Sequence, residues 1–404
     1  MKRILPFLLA LALLFASCGN SNEQENDETR IMSPEAIYPE DTDVSAIPVR
    51  PTDPPSETAR ISFLAAGDNV IHPCIYMDAR ARATSETRAY NFKPMYADVI
   101  DYIKGFDVAF INQETLMCGE GYEPSGYPNF NSPQELGLDL VEIGFDVIGV
   151  SNNHMLDKGS AGLKKTLDFY HSDEMSEALM IGGYYDKADF DNIRTLERNG
   201  ITIAFLSYTY GTNGHVLPAG SELVVPYIND YDIIRQCAIA EQIGDITIVS
   251  IHWGDENSGV NDEQRRTAQL LADNGADVII GHHPHVLQPI EIIESAHGET
   301  LCIYSLGNLL SAMAAWQNMV GGFLTFDIVA YSDGNVTFDA PAFIPTAFYF
   351  GPSWYNSHLY FLKDYPADVA KTHGVANLYA SRATPDDMLR YATKIMGDYL
   401  KLEP

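Results

Sequence analysis

Seven short apolar runs, rich in β-branched residues, constrain the fold of this chain more than any other feature. They occupy residues 61–66, 107–111, 146–150, 201–207, 245–251, 277–280 and 301–305. Nearly continuous apolar runs of this length are typical of strands that are covered on both faces. Amphipathic helical patterns lie between several of them, at residues 132–143, 160–169 and 263–272. Strands that alternate with helices predict a layered α/β domain.

Polar residues follow most of these runs, at the point where each predicted strand ends. The carboxyl ends of parallel strands form one edge of an open α/β sheet, and ligands bind there. Five of the eleven histidines are expected to meet at this edge, and His72 would be a sixth. Imidazoles and carboxylates without clustered thiols are typical ligands of Zn²⁺, Mn²⁺ or iron. The pattern therefore predicts a metal or anion site.

Six of the polar segments carry a resemblance to a known family. In chain order they are Gly67-Asp68, Asn112-Gln113-Glu114, Ser151-Asn152-Asn153-His154, His252-Trp253-Gly254-x-Glu256, Gly281-His282-His283-Pro284-His285-Val286-x-Gln288 and Ser305-Leu306-Gly307-Asn308. The series resembles the CapA family of capsule and poly-γ-glutamate biosynthesis proteins, which is similar in fold to the calcineurin-like metallophosphatases. The resemblance implies a layered metallophosphatase-like sheet sandwich flanked by helices, with a short C-terminal extension.

The resemblance also implies roles for the polar residues at the sheet edge. The implied metal ligands are Asp68, Glu114, Asn153, His252, His283 and His285. Further candidate ligands are His72, His282 and Glu256. Glu114 would take the position that bridges two ions. His154 would be the general acid for the leaving oxygen, with Asp157 orienting its ring. One or two divalent ions of Mn²⁺, Zn²⁺ or iron are expected as the cofactor.

Two functions of different classes follow from this combination. The first is a lipid-anchored, metal-dependent hydrolase that acts on a phosphoester or an envelope polymer bond, since paired ions can stabilise an in-line attack on phosphorus. The second is a non-catalytic assembly or export subunit, which would bind an anionic envelope polymer or its synthase complex. The polar residues favour catalysis, and the family context favours the polymer.

The first eighteen residues predict an exported protein. A positively charged start, Met1-Lys2-Arg3, precedes a largely apolar run at residues 4–16, and Ser17 and Cys18 follow. The run is too short for a comfortable membrane span and suits a signal-peptide core. Small residues before Cys18 resemble a lipobox, which implies lipidation of Cys18 and an extracytoplasmic protein anchored to a bacterial membrane. An ordinary cleaved signal peptide and an uncleaved anchor are the alternatives.

The segment at residues 19–58 is expected to be a disordered acidic tether. It holds ten acidic residues, two arginines and scattered prolines, and too little apolar surface to offset the entropy lost on ordering. The whole chain carries 55 acidic and 25 basic residues, a formal net charge of −30. This charge disfavours nucleic acid as a partner, because phosphate backbones would be repelled.

The remaining domain boundaries follow from changes in the pattern of apolar and polar residues along the chain. Residues 59–330 are expected to form the metallophosphatase-like domain. Residues 331–404 are expected to pack on it as a hairpin that turns at residues 332–334 and a helix from Pro385 to Leu400. Four cysteines remain after Cys18, namely Cys74, Cys118, Cys237 and Cys302. An even number in an exported protein permits disulfides, and we expect one bridge at most.

Overall fold

A computed structural model describes residues 54–84 and 88–403, which form one compact unit. The strands within these residues are β1 (Glu57–Asn69), β2 (Val108–Gln113), β3 (Val147–Gly149), β4 (Leu179–Ile181), β5 (Arg194–Arg198), β6 (Ile201–Thr209), β7 (Ile246–His252), β8 (Val278–His282), β9 (Leu287–Ser295), β10 (Gly298–Leu306), β11 (Asn308–Leu310), β12 (Val320–Tyr331), β13 (Val336–Tyr349) and β14 (His358–Phe361). The predicted signal peptide, Cys18 and the predicted tether up to residue 53 lie outside the described residues.

Ten α-helices connect or flank these strands in the described residues. They are α1 (Pro73–Ala81), α2 (Ile100–Ile103), α3 (Glu135–Ile143), α4 (Gly159–Tyr170), α5 (Lys187–Asp191), α6 (Asp230–Ile243), α7 (Asp262–Ala272), α8 (Ala367–Lys371), α9 (Gly374–Leu378) and α10 (Pro385–Met396). Within this part of the chain, no helix is both long enough and apolar enough to span a bilayer.

The strands form two mixed sheets. The first sheet has the order β14-β13-β12-β1-β2-β3-β4, with β11 pairing with β1, and the second has the order β5-β6-β7-β8-β10-β9. Strands β1 to β4 are parallel, as are β6, β7, β8 and β10. Each of the seven predicted runs coincides, to within one residue at its ends, with part of a strand that pairs in parallel with a neighbour. The predicted α/β class is confirmed.

The two sheets pack face to face, and helices cover their outer faces. Phe63 of β1 contacts Phe205 of β6 with ring centroids 6.5 Å apart, in the apolar layer between the sheets. Leu64, the next residue along β1, points to the opposite face and packs with residues of α3 and α4, as alternation along a strand requires. Helices α6 and α7 cover the second sheet in the same way. Helix, sheet, sheet and helix layers give the sandwich that the sequence predicts.

Four aspartates fix the starts of four parallel strands. Each lies directly before its strand and makes two hydrogen bonds to one residue of the neighbouring strand. Its Oδ2 accepts from the backbone N–H of that residue at 2.7–2.9 Å, and its own N–H donates to the same residue's carbonyl. The pairs are Asp107 with Ser62, Asp146 with Ala109, Asp245 with Thr202, and Asp277 with Thr247. These bonds set the register at the amino ends of the strands.

The C-terminal part differs from the expectation in two details. The predicted hairpin exists as β12 and β13, but β12 also pairs with β1. The hairpin is therefore part of the first sheet, and the expected boundary after residue 330 falls at its turn. The predicted helix from Pro385 is wrong in its end. The α-helix stops at Met396, because Gly397 takes a positive φ of 54°, and a 3₁₀ turn, Gly397–Tyr399, follows it.

The four cysteines of the folded part are free and buried. Cys118 donates to the carbonyl of Gly162 on α4, while Cys237 and Cys302 lie in the apolar layer beneath α6 and α7. Burial raises the pKa of Cys74 to about 12 and that of Cys118 to about 11. The structure has no disulfide among the described residues, and these thiols behave as small apolar side chains.

Candidate metal centre

The two sheets each supply half of a polar cluster at the carboxyl ends of their strands. The first sheet places Asp68 at the end of β1 and Glu114 directly after β2, and Asn153 follows β3. The second sheet places His252 at the end of β7 and His283 directly after β8, with His285 two residues later. All six residues are buried. The implied ligands, which the sequence places at strand ends, therefore lie together in the structure.

Both carboxylate oxygens of Asp68 have nitrogen atoms close to them. Its Oδ1 accepts from the amide of Asn112 at 2.7 Å, and its Oδ2 accepts from the backbone N–H of His283 at 3.0 Å. Imidazole nitrogens of His282 and His285 each lie 3.3 Å from one of the two oxygens. Burial opposes the charge of Asp68, but these imidazoles outweigh it and hold the pKa of Asp68 well below its usual range. Asp68 is therefore a fixed anion at the base of the cluster.

Glu114 lies between the two halves of the cluster and lacks the partners that Asp68 has. Its Oε1 is 3.7 Å from Nε2 of His252 and 3.5 Å from Nε2 of His285. Neither of its oxygens has a hydrogen-bond partner among the described residues. Burial raises the pKa of Glu114 well above its usual range, and the charge of Asp68 adds to this against the opposing charge of His285. A buried carboxylate in this state needs a cation or a proton.

The three histidines of the cluster differ in charge. Burial lowers the pKa of His252 well below its usual range and, with the charge of His285, lowers that of His283 to about 3. Burial also opposes the charge of His285, but the carboxylates of Glu114 and Asp68 raise its pKa to about 10. His252 and His283 are therefore neutral imidazoles, the form that binds metals.

The ring of His285 is oriented by a side chain from the seventh predicted strand end. Nδ1 of His285 lies 2.9 Å from Oδ1 of Asn308. This hydrogen bond directs Nε2 of His285 toward Glu114, as outer partners of metal-binding histidines commonly do. The turn itself is tight, since His283 and His285 have positive φ values of 94° and 57°. Backbone of this kind in non-glycine residues is typical of functional sites.

The donor set fits one or two divalent ions. Three groups offer ligand atoms that all lie within 4.8 Å of one another. They are Glu114 with His252 and His283, Asp68 with Glu114 and His285, and Glu256 with His283 and His285. Glu114 belongs to two of these groups, which is the bridging position that the resemblance implies. Nδ1 of His252, Nδ1 of His283 and both oxygens of Glu114 have no hydrogen-bond partner in the part of the chain that the structure describes. These buried, unpaired atoms support the same conclusion.

His154 and Asp157 lie beside this cluster, next to Asn153. Nδ1 of His154 is 2.7 Å from Oδ2 of Asp157, and the same oxygen accepts from the backbone N–H of Phe130 at 2.6 Å. The ring of Phe130 packs edge-on against that of His154. Asp157 therefore fixes the tautomer and the direction of the ring, which leaves Nε2 of His154 as the nitrogen that a substrate can meet.

The three further candidates are placed differently. Glu256 is exposed at the mouth of the cluster and belongs to one ligand group. Nδ1 of His282 lies 3.3 Å from Oδ1 of Asp68, and the ring of His282 packs on Phe110 in the layer between the sheets. His72 accepts from the backbone N–H of Ala312 instead. The structure thus places His283, rather than His282, within the ligand groups, and it places His72 outside them.

Two residues after β6 belong to the site and were missed by the reasoning from sequence. The ring of Tyr210 lies over His283, with ring centroids 4.5 Å apart. The side chain of Asn213 lies between Asn153 and His154, and its Oδ1 accepts from Nδ2 of Asn153 at 3.2 Å. The signal was available, because both residues follow the end of a predicted strand, at residue 207. No histidine or acid comes directly after that strand end, since His215 is eight residues further on, and so the segment lacked the pattern of the other strand ends.

The part of the chain that forms the site is similar to known proteins. A family model described as bacterial capsule synthesis protein PGA_cap matches residues 62–313. PGA biosynthesis protein CapA of Bacillus subtilis is 36% identical over 243 residues, which cover 53% of this chain and 60% of the relative. Capsule biosynthesis protein CapA of Bacillus anthracis is 29% identical over 230 residues, covering 55% of this chain and 54% of the relative. This chain thus matches 60% or less of the length of these relatives.

Among solved structures, the NAD nucleotidase of Haemophilus influenzae is similar with a TM-score of 0.42 and 12% identity, covering 86% of this chain and 58% of that one. The family match spans more than half of the chain and includes all six residues implied as ligands. The chain belongs to the bacterial capsule synthesis protein PGA_cap family.

Proposed function

We propose that the protein is a metal-dependent hydrolase of the phosphoesterase type that acts in capsule or poly-γ-glutamate biosynthesis. One observation carries this proposal. Glu114, buried and without a hydrogen-bond partner among the described residues, is shared by two adjoining ligand groups drawn from different sheets. A carboxylate in that position is what a pair of divalent ions requires.

The residues of the site would have the following roles in this reaction. Asp68, Glu114, Asn153, His252, His283 and His285 would hold the ions. A divalent ion bound there would supply positive charge for a developing oxyanion and would lower the pKa of a bound water. Nε2 of His154 would hold the proton that the leaving oxygen needs, because Asp157 occupies Nδ1. Tyr210 would shield one side of the centre from bulk water, since its ring covers His283.

The proposed setting is the outer face of a bacterial membrane. Lipidation of Cys18 would anchor the chain, and the acidic segment that follows would separate the folded part from the lipid surface. The names of the Bacillus relatives support an envelope polymer, or the complex that makes it, as the partner. A formal net charge of −30 opposes the approach of an anionic polymer. Bound cations would make the mouth of the site locally attractive to it.

The test combines metal content with turnover. We would purify the mature chain with Cys18→Ser, measure bound metals by elemental analysis, and assay a generic aryl phosphate with added Mn²⁺. We expect one or two ions per chain and Mn²⁺-dependent turnover. A double variant, His252→Ala with His283→Ala, should lose both. Protein that binds no metal and has no turnover would end the hydrolase proposal. Bound metal without turnover would instead support the non-catalytic assembly or export subunit.

A further inference from the structure

A cleft of about 540 Å³ lies beside the metal centre, between helix α10 and the segments that follow Glu256 and His285. Asn257 and Ser258 form one side, Met313 and Gln317 form another, and Tyr391 and Ile395 of α10 close the third. This volume falls within the range of about 300–1,000 Å³ that is typical of small-ligand sites. The cleft is therefore large enough to hold several linked groups.

The cleft carries no charge. Among the described residues that line it, none is acidic, basic or a histidine, although charged residues make up 20% of the chain. A carboxylate or phosphate that enters a cleft without an opposite charge loses hydration and gains no ion pair in return. The lining therefore favours an uncharged ligand segment over a charged one.

Two polar side chains in the cleft wall can each donate a hydrogen bond to a ligand. The hydroxyl oxygen of Tyr391 accepts from the backbone N–H of Leu287 at 3.0 Å, which leaves its own proton to donate. Oδ1 of Asn257 accepts from Nδ2 of Asn318 at 2.6 Å, which leaves the amide protons of Asn257. Donors of this kind suit carbonyl oxygens. Met313 and Ile395 supply apolar contact between them.

We infer that this cleft binds an uncharged peptide segment, whose carbonyl oxygens accept from Tyr391 and Asn257 and whose aliphatic parts pack on Met313 and Ile395. The site is distinct from the metal centre and needs no ion, since none of its lining residues is a proposed ligand. The inference thus stands whether or not the centre hydrolyses a phosphoester.

The position of the cleft links it to the metal centre. Nδ2 of Asn318 donates to the carbonyl of His285 at 3.0 Å, and the backbone N–H of Asn257 donates to the carbonyl of Pro284 at 2.8 Å. Tyr391 and Ile395 lie outside residues 62–313, the range that matches the family. One wall of the cleft thus comes from a part of this chain that the family match does not cover, which gives helix α10 a role beyond packing.

The test uses two matched peptides, capped tri-glutamine and capped tri-glutamate, which have the same length and similar shape but differ in charge. Isothermal titration calorimetry on the mature chain with Cys18→Ser should show millimolar or tighter binding of tri-glutamine. Tri-glutamate should bind at least about tenfold more weakly. Chelation of metals by EDTA should leave the affinity for tri-glutamine unchanged, so this result is separate from that of the metal test.

Three variants test whether tri-glutamine binds in the cleft. Ala314, which is exposed in the cleft wall, becomes an obstruction in Ala314→Trp, and the affinity for tri-glutamine should fall at least about tenfold. Gln317→Glu should lower it as well, by adding a charge without adding bulk. Ala367→Trp, at an exposed alanine that starts α8 away from the cleft lining, should leave it unchanged. Equal affinity for the two peptides, undiminished binding to both cleft variants, or no heat at millimolar tri-glutamine would overturn the inference.

Discussion

Asn213 fixes the orientation of the amide of Asn153. Nδ2 of Asn153 donates to Oδ1 of Asn213 at 3.2 Å, and Oδ1 of Asn153 lies 3.0 Å from Nε2 of His252. An amide binds a cation through its oxygen, because its nitrogen has no free lone pair. With the nitrogen engaged by Asn213, the oxygen of Asn153 faces the ligand cluster. Asn213 is therefore a positioning residue for an implied ligand.

Removal of this hydrogen bond should weaken metal binding. In Asn213→Ala the amide of Asn153 can rotate, and we expect the affinity for Mn²⁺ to fall about tenfold, as for outer partners of other metal ligands. Calorimetric titration of metal-free protein with Mn²⁺ measures this. Val216→Ala is the control, since Val216 is exposed in the same loop. Equal affinities in the native protein and Asn213→Ala would show that Asn153 needs no positioning.

Glu114→Gln should separate folding stability from metal binding. The carboxyl group of Glu114 is buried and has no hydrogen-bond partner among the described residues, so its replacement by an uncharged amide lowers the cost of burying this side chain in metal-free protein. We expect the Tm without metal to be equal to or above the native value. Mn²⁺ at 100 times its Kd should stabilise the native protein by about 2.7 kcal/mol and the variant by less than half of that.

Thermal unfolding with Mn²⁺ and with EDTA provides both values. Glu263→Gln, an exposed acid on α7, should behave as the native protein in both conditions. The same metal-induced rise in Glu114→Gln as in the native protein would mean that Glu114 is not a ligand.

His154→Gln tests the proposed proton donor. We expect kcat on an aryl phosphate to fall about 10²–10³-fold, the usual contribution of a general acid, with the metal content unchanged. Steady-state kinetics and elemental analysis on the same sample give both readouts. His171→Gln, at an exposed histidine after α4, serves as the control. Turnover that survives His154→Gln would remove His154 from the chemistry while leaving the metal centre in place.

Asp277 should make the protein less stable as the pH rises toward neutral. Burial raises the pKa of Asp277 to about 7, against the hydrogen bond from the N–H of Thr247. The unfolded chain loses this proton near pH 3.9 (about the model-peptide value), whereas the folded chain keeps it until about pH 7. Stability is therefore lost between these values and levels off above them.

Asp277→Asn removes this titration and keeps an oxygen that can accept from Thr247. We expect the free energy of unfolding of the variant, relative to the native protein, to increase by about 1–4 kcal/mol between about pH 4 and pH 7. Urea denaturation at several pH values measures the difference. A difference that stays constant across that window would show that Asp277 has an ordinary pKa in the folded protein.

The central strands of the fold could be predicted from sequence because both of their faces are buried. Strands such as β2 and β7 are buried at every residue, so their sequences are mostly apolar up to the polar residues that end them. The edge strand β5 was not predictable in this way. It is half-exposed, and its five residues, Arg194–Arg198, are mostly polar. Strand β4 has three residues, as β3 has, but Leu179–Ile181 contains one β-branched residue and lies in no β-branched run.

The site was predictable to the extent that strand ends determine it. Asp68, Glu114 and His252 lie where parallel strands finish, so sequence alone places them at one edge. The choice between His282 and His283 depends on the positive φ of His283, which periodicity does not reveal. Asn213 comes to Asn153 through a loop whose path is set by tertiary contacts. The end of the predicted strand at residue 207 indicates the segment, but no local pattern in the sequence specifies the path that brings Asn213 to Asn153.

The division of the ligands between two sheets has a consequence for the order of events during synthesis. Asp68, Glu114 and Asn153 are made first, and about a hundred residues separate Asn153 from His252. A chain that has reached only β4 holds the acids and the amide but none of the three ligand imidazoles. It cannot retain an ion in the arrangement that the finished protein offers. Metal loading would therefore come late in maturation. All six residues could bind an ion only in a molecule whose two sheets have already packed against each other.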